Sequence, residues 1–303
     1  MLFRSERHQI QKAFSLFIPD NVVNTLAQQR KIEALGTYGE LLQGVCMATD
    51  ASQYTALGEN LTPMELNVLM NSYYGIMFPL VKNFDGIISD VMGDAMLAVW
   101  AKPTAEKQLR INACEAALAI KIAIDKFNLT QPHHLHTRIG LHYGEMRLGN
   151  VGAADHFEYR AVGDIVNTAT RIESMNKLLG TQILVSQNVI ADIPDFYTRD
   201  VGVFILKGKT QPVSIVELIN HTDAISPSWT ALTVRFSEAL QAYQHYQWQT
   251  ALQLFTALQH DYPHDGPTQF YLNYLRQHLH RLSASERQET PAWIDVGSNL
   301  AIH

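Results

Sequence analysis

The feature that most constrains the fold is the repeated change of apolar period between residues 41 and 218. The segment 41–50 is an apolar run of strand length that ends in a carboxylate, and 62–84 has a helical pattern opened by a capping residue. Two further apolar runs flank Gly93-Asp94, a dipeptide typical of a hairpin turn. The first half of this region therefore predicts a strand, a helix and a hairpin.

The second half of the region continues the alternation. The pattern predicts a long helix at 105–128, a strand pair punctuated by glycines at 136–152, and a helix at 165–180 that ends at Gly180. Late strands follow, up to residue 218. The whole order predicts an α+β fold in which helices back a mixed or antiparallel sheet.

Both flanks of this region are predicted to be helical. Residues 5–30 indicate short amphipathic helices broken at Pro19-Asp20, and the chain after residue 223 indicates three helices. The second flank resembles one and a half tetratricopeptide (TPR) repeats, through Ala239, Tyr243, Trp248, Ala251, Leu252, Phe255 and Pro263. We expect so short a stack to pack on the central domain or on a second copy. A peptide-binding module and an ordinary helical appendage remain alternatives.

Composition narrows the classes of partner. With 47% apolar and 17% charged residues, the 303-residue chain can bury a full core. The chain has a net charge of −6, so it lacks the excess of basic residues that is typical of a DNA- or RNA-binding protein. Cys46 and Cys114 are expected to be buried, reduced thiols. The absence of a signal peptide and of an apolar run near 18 residues predicts a cytoplasmic location, with an upstream membrane segment left open.

Two carboxylates are candidates for a metal site. Asp50 ends the first predicted strand, and Asp94 lies in the predicted hairpin turn. A strand end and a hairpin turn can meet at one edge of a sheet, where two carboxylates could hold two hard cations that activate a hydroxyl and stabilise a transferring phosphoryl group. The alternative is that each aspartate only forms a turn.

A second candidate group lies on the helix predicted at 165–180. Asn167 and Arg171 are four residues apart and share a face. Arginine offers a planar fork of donors to a phosphate, and asparagine can donate or accept at a ribose. The alternative is that Asn167 helps to start the helix while Arg171 pairs with Glu173 or solvent.

Together these segments resemble a known family. In order along the chain, residues 38–220 contain the landmarks TDASQYTALGE, GDAMLAVW, GLHYGEMRLGNVG, YRAVGDIVNTATRIE and LKGKTQPVSIVEL. This order resembles the class III adenylate/guanylate cyclase catalytic domain. The resemblance implies a ferredoxin-like βαββαβ domain at 38–222, preceded by a helical linker at 1–37 and followed by a small all-α, TPR-like tail at 223–303. Both ends resemble those of bacterial cyclases with a membrane sensor upstream.

The resemblance also implies roles for the candidate residues. Asp50 and Asp94 match the aspartates that bind two Mg²⁺ or Mn²⁺ ions, and Ala51 matches a position whose backbone carbonyl completes one metal site. Asn167 and Arg171 match the pair that orients the ribose and stabilises the α-phosphate transition state.

The phosphate contact and the dimer come from the same resemblance. Lys207 or Lys209 matches a lysine that contacts phosphate. Active sites of the family form between two catalytic domains, so a homodimer would join the metal-binding residues of one subunit to Asn167 and Arg171 of the other.

The base-reading positions depart from the family pattern. Adenylate cyclases usually have Lys and then Asp or Thr where this chain has Asp90 and Arg160. If these side chains face the base, their acceptor and donor groups suit guanine or uracil better than adenine. If they pair with each other, backbone groups read the base and ATP stays the leading substrate.

A second departure concerns the terminal phosphates. An arginine that many members have near Asp155-His156 is missing, which would either weaken triphosphate binding or move its task to Arg147 or a lysine.

The sequence therefore predicts a phosphorus–oxygen lyase that turns a nucleoside triphosphate into its 3′,5′-cyclic nucleotide and pyrophosphate. The alternative is a degenerate homologue that binds a nucleotide or a partner without turnover. Degenerate copies usually lose some of the metal-binding aspartates and the catalytic pair, and all four of these residues are present. A polymerase-like diguanylate cyclase is disfavoured because its GG[DE]EF turn is absent.

Overall fold

The computed structural model describes residues 39–153, 156–279 and 293–296, so the helices predicted within 5–30 lie outside the described residues. The strands are β1 Gly39–Ala51, β2 Ile87–Met92, β3 Ala95–Lys102, β4 Thr137–Ala153, β5 His156–Val162, β6 Ile183–Ser186, β7 Phe196–Ile205, β8 Val213–His221 and β9 Ile294–Asp295. The helices are α1 Tyr54–Asn60, α2 Pro63–Asn83, α3 Lys107–Asn128, α4 Asp164–Leu179, α5 Gln187–Ile190, α6 Pro227–Gln244, α7 Trp248–Asp261 and α8 Gly266–Leu279.

One mixed sheet organises the molecule. Its strand order is β2-β3-β1-β4-β6-β8-β7-β9, and β5 pairs with β4 outside this path. The pairs β1–β3 and β1–β4 are antiparallel, whereas β4–β6 is parallel. The order β1, α2, β2–β3 hairpin, α3, β4, α4, β6 confirms the predicted α+β class.

Helices cover both faces of the sheet because the side chains of β1 alternate. Val45 and Met47 lie in a buried cluster with α2 and α3. Cys46, on the other face of β1, lies in a second cluster with Ile165 and Ala169 of α4. Strand β1 is therefore buried on both sides, and its carboxyl end is held in place by helices of both layers.

Helix α2 begins where the sequence predicts. The Oγ of Thr62 accepts a hydrogen bond from the backbone N–H of Glu65, and the Glu65 side chain accepts one from the backbone N–H of Thr62. This reciprocal capping box satisfies two backbone donors that the first turn of a helix leaves free.

The prediction of a strand pair at 136–152 is wrong. The structure has one continuous strand, β4, and the hairpin partner is β5. The glycines do not interrupt β4 because β1 pairs with it from Gly39 to Ala51. Gly140 serves another purpose: a Cβ there would lie 2.2 Å from the backbone nitrogen of Glu173 on α4. Glycine at this position lets α4 lie directly on the sheet.

The C-terminal helices form the predicted sequence of helix, break, helix, break, helix. Helices α6, α7 and α8 pack on the sheet through one buried cluster that includes Val201 and Phe204 of β7. Within one chain the tail therefore packs on the central domain, and packing on a second copy stays a prediction. The TPR-like geometry and the boundary at 222/223 stay predictions. No helix within the described residues is long and apolar enough to cross a membrane.

Candidate active site

The structure brings Asp50 and Asp94 together at one edge of the sheet. Asp50 is the penultimate residue of β1, and Asp94 lies in the two-residue turn between β2 and β3. The backbone N–H of Ala51 donates a hydrogen bond to Oδ2 of Asp94 over 3.2 Å. Gly93 adopts φ +62°, and its carbonyl accepts a hydrogen bond of 2.8 Å from the hydroxyl of Tyr74 on α2. The hairpin turn is thus anchored from both sides.

The electrostatics of this pair favour a cation. Burial and the neighbouring charge of Asp50 raise the pKa of Asp94 to about 6. A divalent ion would stabilise the charged form of Asp94 and offset its repulsion with Asp50.

The donor set fits Mg²⁺ or Mn²⁺. In the part of the chain that the structure describes, no group of three or more His, Cys, Asp or Glu side chains could hold a metal. Mg²⁺ does not need one, because it usually binds through one or two carboxylates and completes its shell with water and substrate phosphates. Asp50, Asp94 and the carbonyl of Ala51 match that kind of site.

Arg138 and Glu173 are residues of this site that the sequence did not predict. Arg138 lies opposite Asp50 in the β1–β4 register, and its Nη2 donates a hydrogen bond to Oδ2 of Asp50. Its Nε donates to Oε1 of Glu173 on α4 over 3.1 Å. Burial and the charge of Asp50 raise the pKa of Glu173 to about 7. Arg138 could be identified only from the antiparallel register of β1 and β4, which no local sequence motif predicts.

Asn167 and Arg171 lie on α4, as predicted, with Asn167 exposed and Arg171 partly exposed. Glu173 pairs with Arg138, so the alternative pairing of Arg171 with Glu173 is not the one in the structure. A Cβ on Gly208 would lie 3.4 Å from Nη2 of Arg171, so the guanidinium lies beside the loop between β7 and β8. Within the described residues of one chain, Asn167 and Arg171 form no hydrogen bond to the aspartate pair.

The structure separates the two candidate lysines. Nζ of Lys209 contacts Oδ2 of Asp164, the first residue of α4, whereas Lys207 is exposed. The hydrogen bond from Lys209 lowers the pKa of Asp164. Burial, followed by the charge of Lys209, lowers the pKa of His142 to about 4. Lys209 is therefore the lysine that lies at the start of the helix carrying Asn167 and Arg171.

Arg147, the arginine named as a substitute phosphate ligand, lies at the other end of β4. It pairs with Leu41, nine residues along β1 from Asp50, which corresponds to about 30 Å of strand. It cannot join the Asp50–Asp94 pair of its own chain.

Asp90 and Arg160 pair with each other. Nη2 of Arg160 donates to Oδ2 of Asp90, and Nη1 lies 3.0 Å from Oε2 of Glu158. Of the two arrangements considered for these positions, the structure contains the pair.

Fold and site together define an α+β domain with an acidic sheet edge and a helix that presents an arginine and an asparagine. The family model for the adenylate and guanylate cyclase catalytic domain matches residues 38–218. The chain belongs to the adenylate/guanylate cyclase family.

Named relatives agree with this assignment. Adenylate cyclase 1 of Rhizobium meliloti is 30% identical over 218 residues, which cover 70% of this chain and 32% of the relative. The adenylate cyclase of Anabaena cylindrica is 26% identical over 218 residues, which cover 68% of this chain and 42% of the relative. The chain thus spans less than half the length of either relative.

Solved structures show the same fold. The guanylyl cyclase Cya2 has a TM-score of 0.55 at 26% identity, covering 62% of this chain and 97% of that one. The adenylyl cyclase CyaB from P. aeruginosa has a TM-score of 0.54 at 23% identity, covering 62% of this chain and 100% of that one. The similar proteins therefore include both a named adenylyl cyclase and a named guanylyl cyclase.

Proposed function

We propose that the chain converts a nucleoside triphosphate into its 3′,5′-cyclic nucleotide and pyrophosphate. The observation that carries this proposal is the convergence of Asp50 and Asp94, locked by the hydrogen bond from Ala51, in a chain of the cyclase family. The raised pKa of Asp94 supports a divalent ion at this edge, because a metal offsets the repulsion between the two carboxylates.

The complete site is proposed to form between two copies of the chain. Asn167 and Arg171 have exposed and partly exposed side chains on α4 and, among the described residues, form no hydrogen bond to the aspartate pair of their own chain. A twofold homodimer would place them opposite the aspartates of the second copy and create two equivalent sites.

Each residue then has a distinct task. Bound divalent ions would neutralise triphosphate charge and lower the pKa of the 3′-hydroxyl. Asn167 orients the ribose, and Arg171 donates hydrogen bonds to the α-phosphate where charge develops. Lys209 holds the terminal phosphates at the start of α4. The 3′-oxygen attacks the α-phosphorus in line and loses its proton; the bond to the β-phosphate oxygen breaks, and pyrophosphate leaves.

ATP is the proposed substrate, with GTP and UTP as alternatives. The pairing of Asp90 with Arg160 supports ATP, because paired charges do not present their acceptor and donor to a base. Backbone groups would then read the purine edge.

A four-substrate assay tests the activity. Purified protein with Mg²⁺ or Mn²⁺ receives ATP, GTP, CTP or UTP, and the cyclic products are separated by chromatography. We expect cyclic AMP to dominate. Nucleotide binding without any cyclic product would instead support the degenerate, regulatory alternative.

Mixing two inactive variants tests the shared site. Asp94→Asn and Arg171→Ala should each lower kcat by about 10²-fold or more, because the first removes a proposed metal-binding carboxylate and the second removes a charged donor to the α-phosphate. Mixed together, they should recover about a quarter of wild-type activity, since half of the dimers are mixed and each has one intact site. Lys177→Ala, at an exposed position of the same helix, is the control and should leave kcat unchanged. A mixture as inactive as its parts would contradict the shared site.

A further inference from the structure

We propose that the C-terminal helices α6–α8 are a positioning element for α4, so that they set the place of Arg171 and Asn167 in the active site. This inference rests on the proposed function, because it concerns the helix that would carry the catalytic pair. Nothing in the family landmarks reaches these helices, which begin after residue 226.

Helix α4 is held by two different surfaces along its length. Near its start, Ile165 and Ala169 pack in the cluster that covers the sheet. Further along, Ile172, Met175 and Leu179 belong to the cluster that contains the buried residues of α6, α7 and α8. The sheet contacts both halves of the helix, because Leu184, Val201 and Ile215 also belong to the second cluster, and the tail adds its contacts to the second half.

The contact between tail and helix leaves no space. A Cβ on Gly266, the first residue of α8, would lie 2.1 Å from the carbonyl oxygen of Leu179 and 2.8 Å from Cα of Gly180. The N-terminus of α8 therefore rests directly on the C-terminus of α4, backbone against backbone.

A buried cation fixes the tail on the sheet. Arg199 of β7 is 2% exposed; its Nε lies 2.9 Å from Oε2 of Glu217 on β8, and its Nη1 lies 2.7 Å from Oδ1 of Asp265. Asp265 directly precedes α8 and also accepts hydrogen bonds from the backbone and hydroxyl of Thr268. Removing one partner of such a buried pair leaves an uncompensated charge, so the pair resists displacement of α8.

A second anchor lies one helical turn further on. The hydroxyl of Tyr271 donates a hydrogen bond of 2.8 Å to the carbonyl of Val201 on β7. A Cβ on Gly202 would lie 2.1 Å from that hydroxyl oxygen. Beyond α8 the chain returns to the sheet, where β9 pairs with β7 in parallel. The tail is thus joined to the same edge of the sheet at several points.

These contacts hold α8 in a fixed position against the C-terminal end of α4. Eight residues separate Leu179 from Arg171, which is about 12 Å along a helix. A helix moves as a stiff rod over that length, so a displacement at Leu179 also displaces the guanidinium. A misplacement of about 1 Å can cost about 10²-fold in rate.

A mixed dimer with one working site tests this idea. One chain carries Asp94→Asn and supplies the working α4; the other carries Arg171→Ala and supplies Asp50 and Asp94. Differently tagged chains allow the mixed dimer to be purified. Gly266→Ala is then added to one chain or the other, so that the effect of the same added methyl group on kcat is compared between the two chains.

We expect kcat to fall about tenfold or more when Gly266→Ala lies in the chain that supplies α4, with the KM for the nucleotide changed less than twofold. In the other chain it should lower kcat of the mixed dimer much less, because there α4 reaches the metal-binding residues only through the Glu173–Arg138 pair. Gly75→Ala, in α2, adds the same methyl group where no atom lies within 4 Å and should change nothing in either chain.

Equal losses in both placements would overturn the proposal, because a tail that only stabilises the fold acts without regard to the chain that supplies α4. No loss in either placement would overturn it as well. If the mixed dimer is inactive before Gly266→Ala is added, the shared site itself fails and the inference fails with it. Should Gly266→Ala prevent folding, Tyr271→Phe weakens the second anchor without added bulk and should show the same asymmetry.

Discussion

The backbone N–H of Ala51 donates a hydrogen bond to Oδ2 of Asp94 over 3.2 Å, which fixes the hairpin carboxylate beside the strand that carries Asp50. The bond joins residues that are 43 positions apart in the chain. It holds two negative charges in a partly buried place, where burial and the charge of Asp50 raise the pKa of Asp94 to about 6. Carboxyl groups whose pKa values are perturbed in this way are typical of functional sites.

Asp94→Asn should therefore stabilise the metal-free protein at pH 8. An Asp carboxyl of an unfolded chain has a pKa of about 3.9, and that of folded Asp94 is higher. The folded state holds its proton longer, so stability is lost as pH rises through about 6. The neutral amide avoids this loss. Thermal unfolding with a chelator should give the variant the higher Tm at pH 8, with the difference gone near pH 4.

Adding Mg²⁺ or Mn²⁺ should reverse that order at pH 8. A ligand that binds only the folded state raises Tm, and the wild type alone has both carboxylates. Two results at pH 8 would contradict the metal site. One is a Tm of Asp94→Asn below that of the wild type in chelator, and the other is an equal increase in Tm of both proteins when the metal is added.

Exchanging the charges of Asp90 and Arg160 tests whether this pair reads the base. The double variant Asp90→Arg, Arg160→Asp keeps an ion pair and should keep the same dominant cyclic product. Asp90→Arg alone places two guanidinium groups together and should destabilise the protein by about 1 kcal/mol, since the pair is partly exposed. The same exchange at Arg235 and Asp261, an exposed pair on the tail, is the control. A changed product with the double variant would show that the pair contacts the base.

His142 should contribute to acid sensitivity. Burial, followed by the charge of Lys209, lowers its pKa to about 4, and its Nδ1 lies 2.8 Å from Oγ of Ser186. The unfolded chain binds this proton near pH 6.5, so stability is lost as pH falls from about 6.5 to 4.

His142→Asn should remove this loss of stability, which is at most about 3 kcal/mol. The decrease in Tm between pH 7 and pH 5 should therefore be smaller in the variant than in the wild type. His260→Asn, at a side chain 88% exposed, should leave the fall unchanged. Parallel curves for the wild type and His142→Asn would refute the prediction.

Both cysteines should resist thiol reagents in the folded protein. Cys46 and Cys114 are fully buried, and burial raises the pKa of each thiol to about 12. Because the thiolate is the reactive form, alkylation followed by mass spectrometry should detect neither cysteine before unfolding and both after it. Rapid labelling of the native protein would show that the core around β1 opens.

Much of the fold could be predicted because its signals are local. Thr62 and Glu65 cap α2 within four residues, and the dipeptide Gly93-Asp94 indicates the hairpin turn by its residue types alone. Gly180 ends α4 in the left-handed conformation that glycine adopts without strain. The family landmarks likewise depend on short segments.

What the sequence could not supply is the pairing between distant segments. The glycines of β4 indicate breaks locally, but the continuous ladder with β1 overrides them. Arg138 lies 88 positions from Asp50 and becomes part of the site only through the β1–β4 register. The partner of Arg160 was likewise open until the structure placed Asp90 beside it.

By itself, the sequence determined the α+β class, the ends of the main helices, the family and the residues proposed for metal, ribose and phosphate. These follow from capping, turn chemistry and short motifs, whose energies act between near neighbours. Only the tertiary structure decided that Arg138 joins Asp50 to Glu173, that Asp90 pairs with Arg160, and that the tail supports α4. Those contacts depend on strand register and on which helix faces which sheet, and both are set by burial summed over the whole chain.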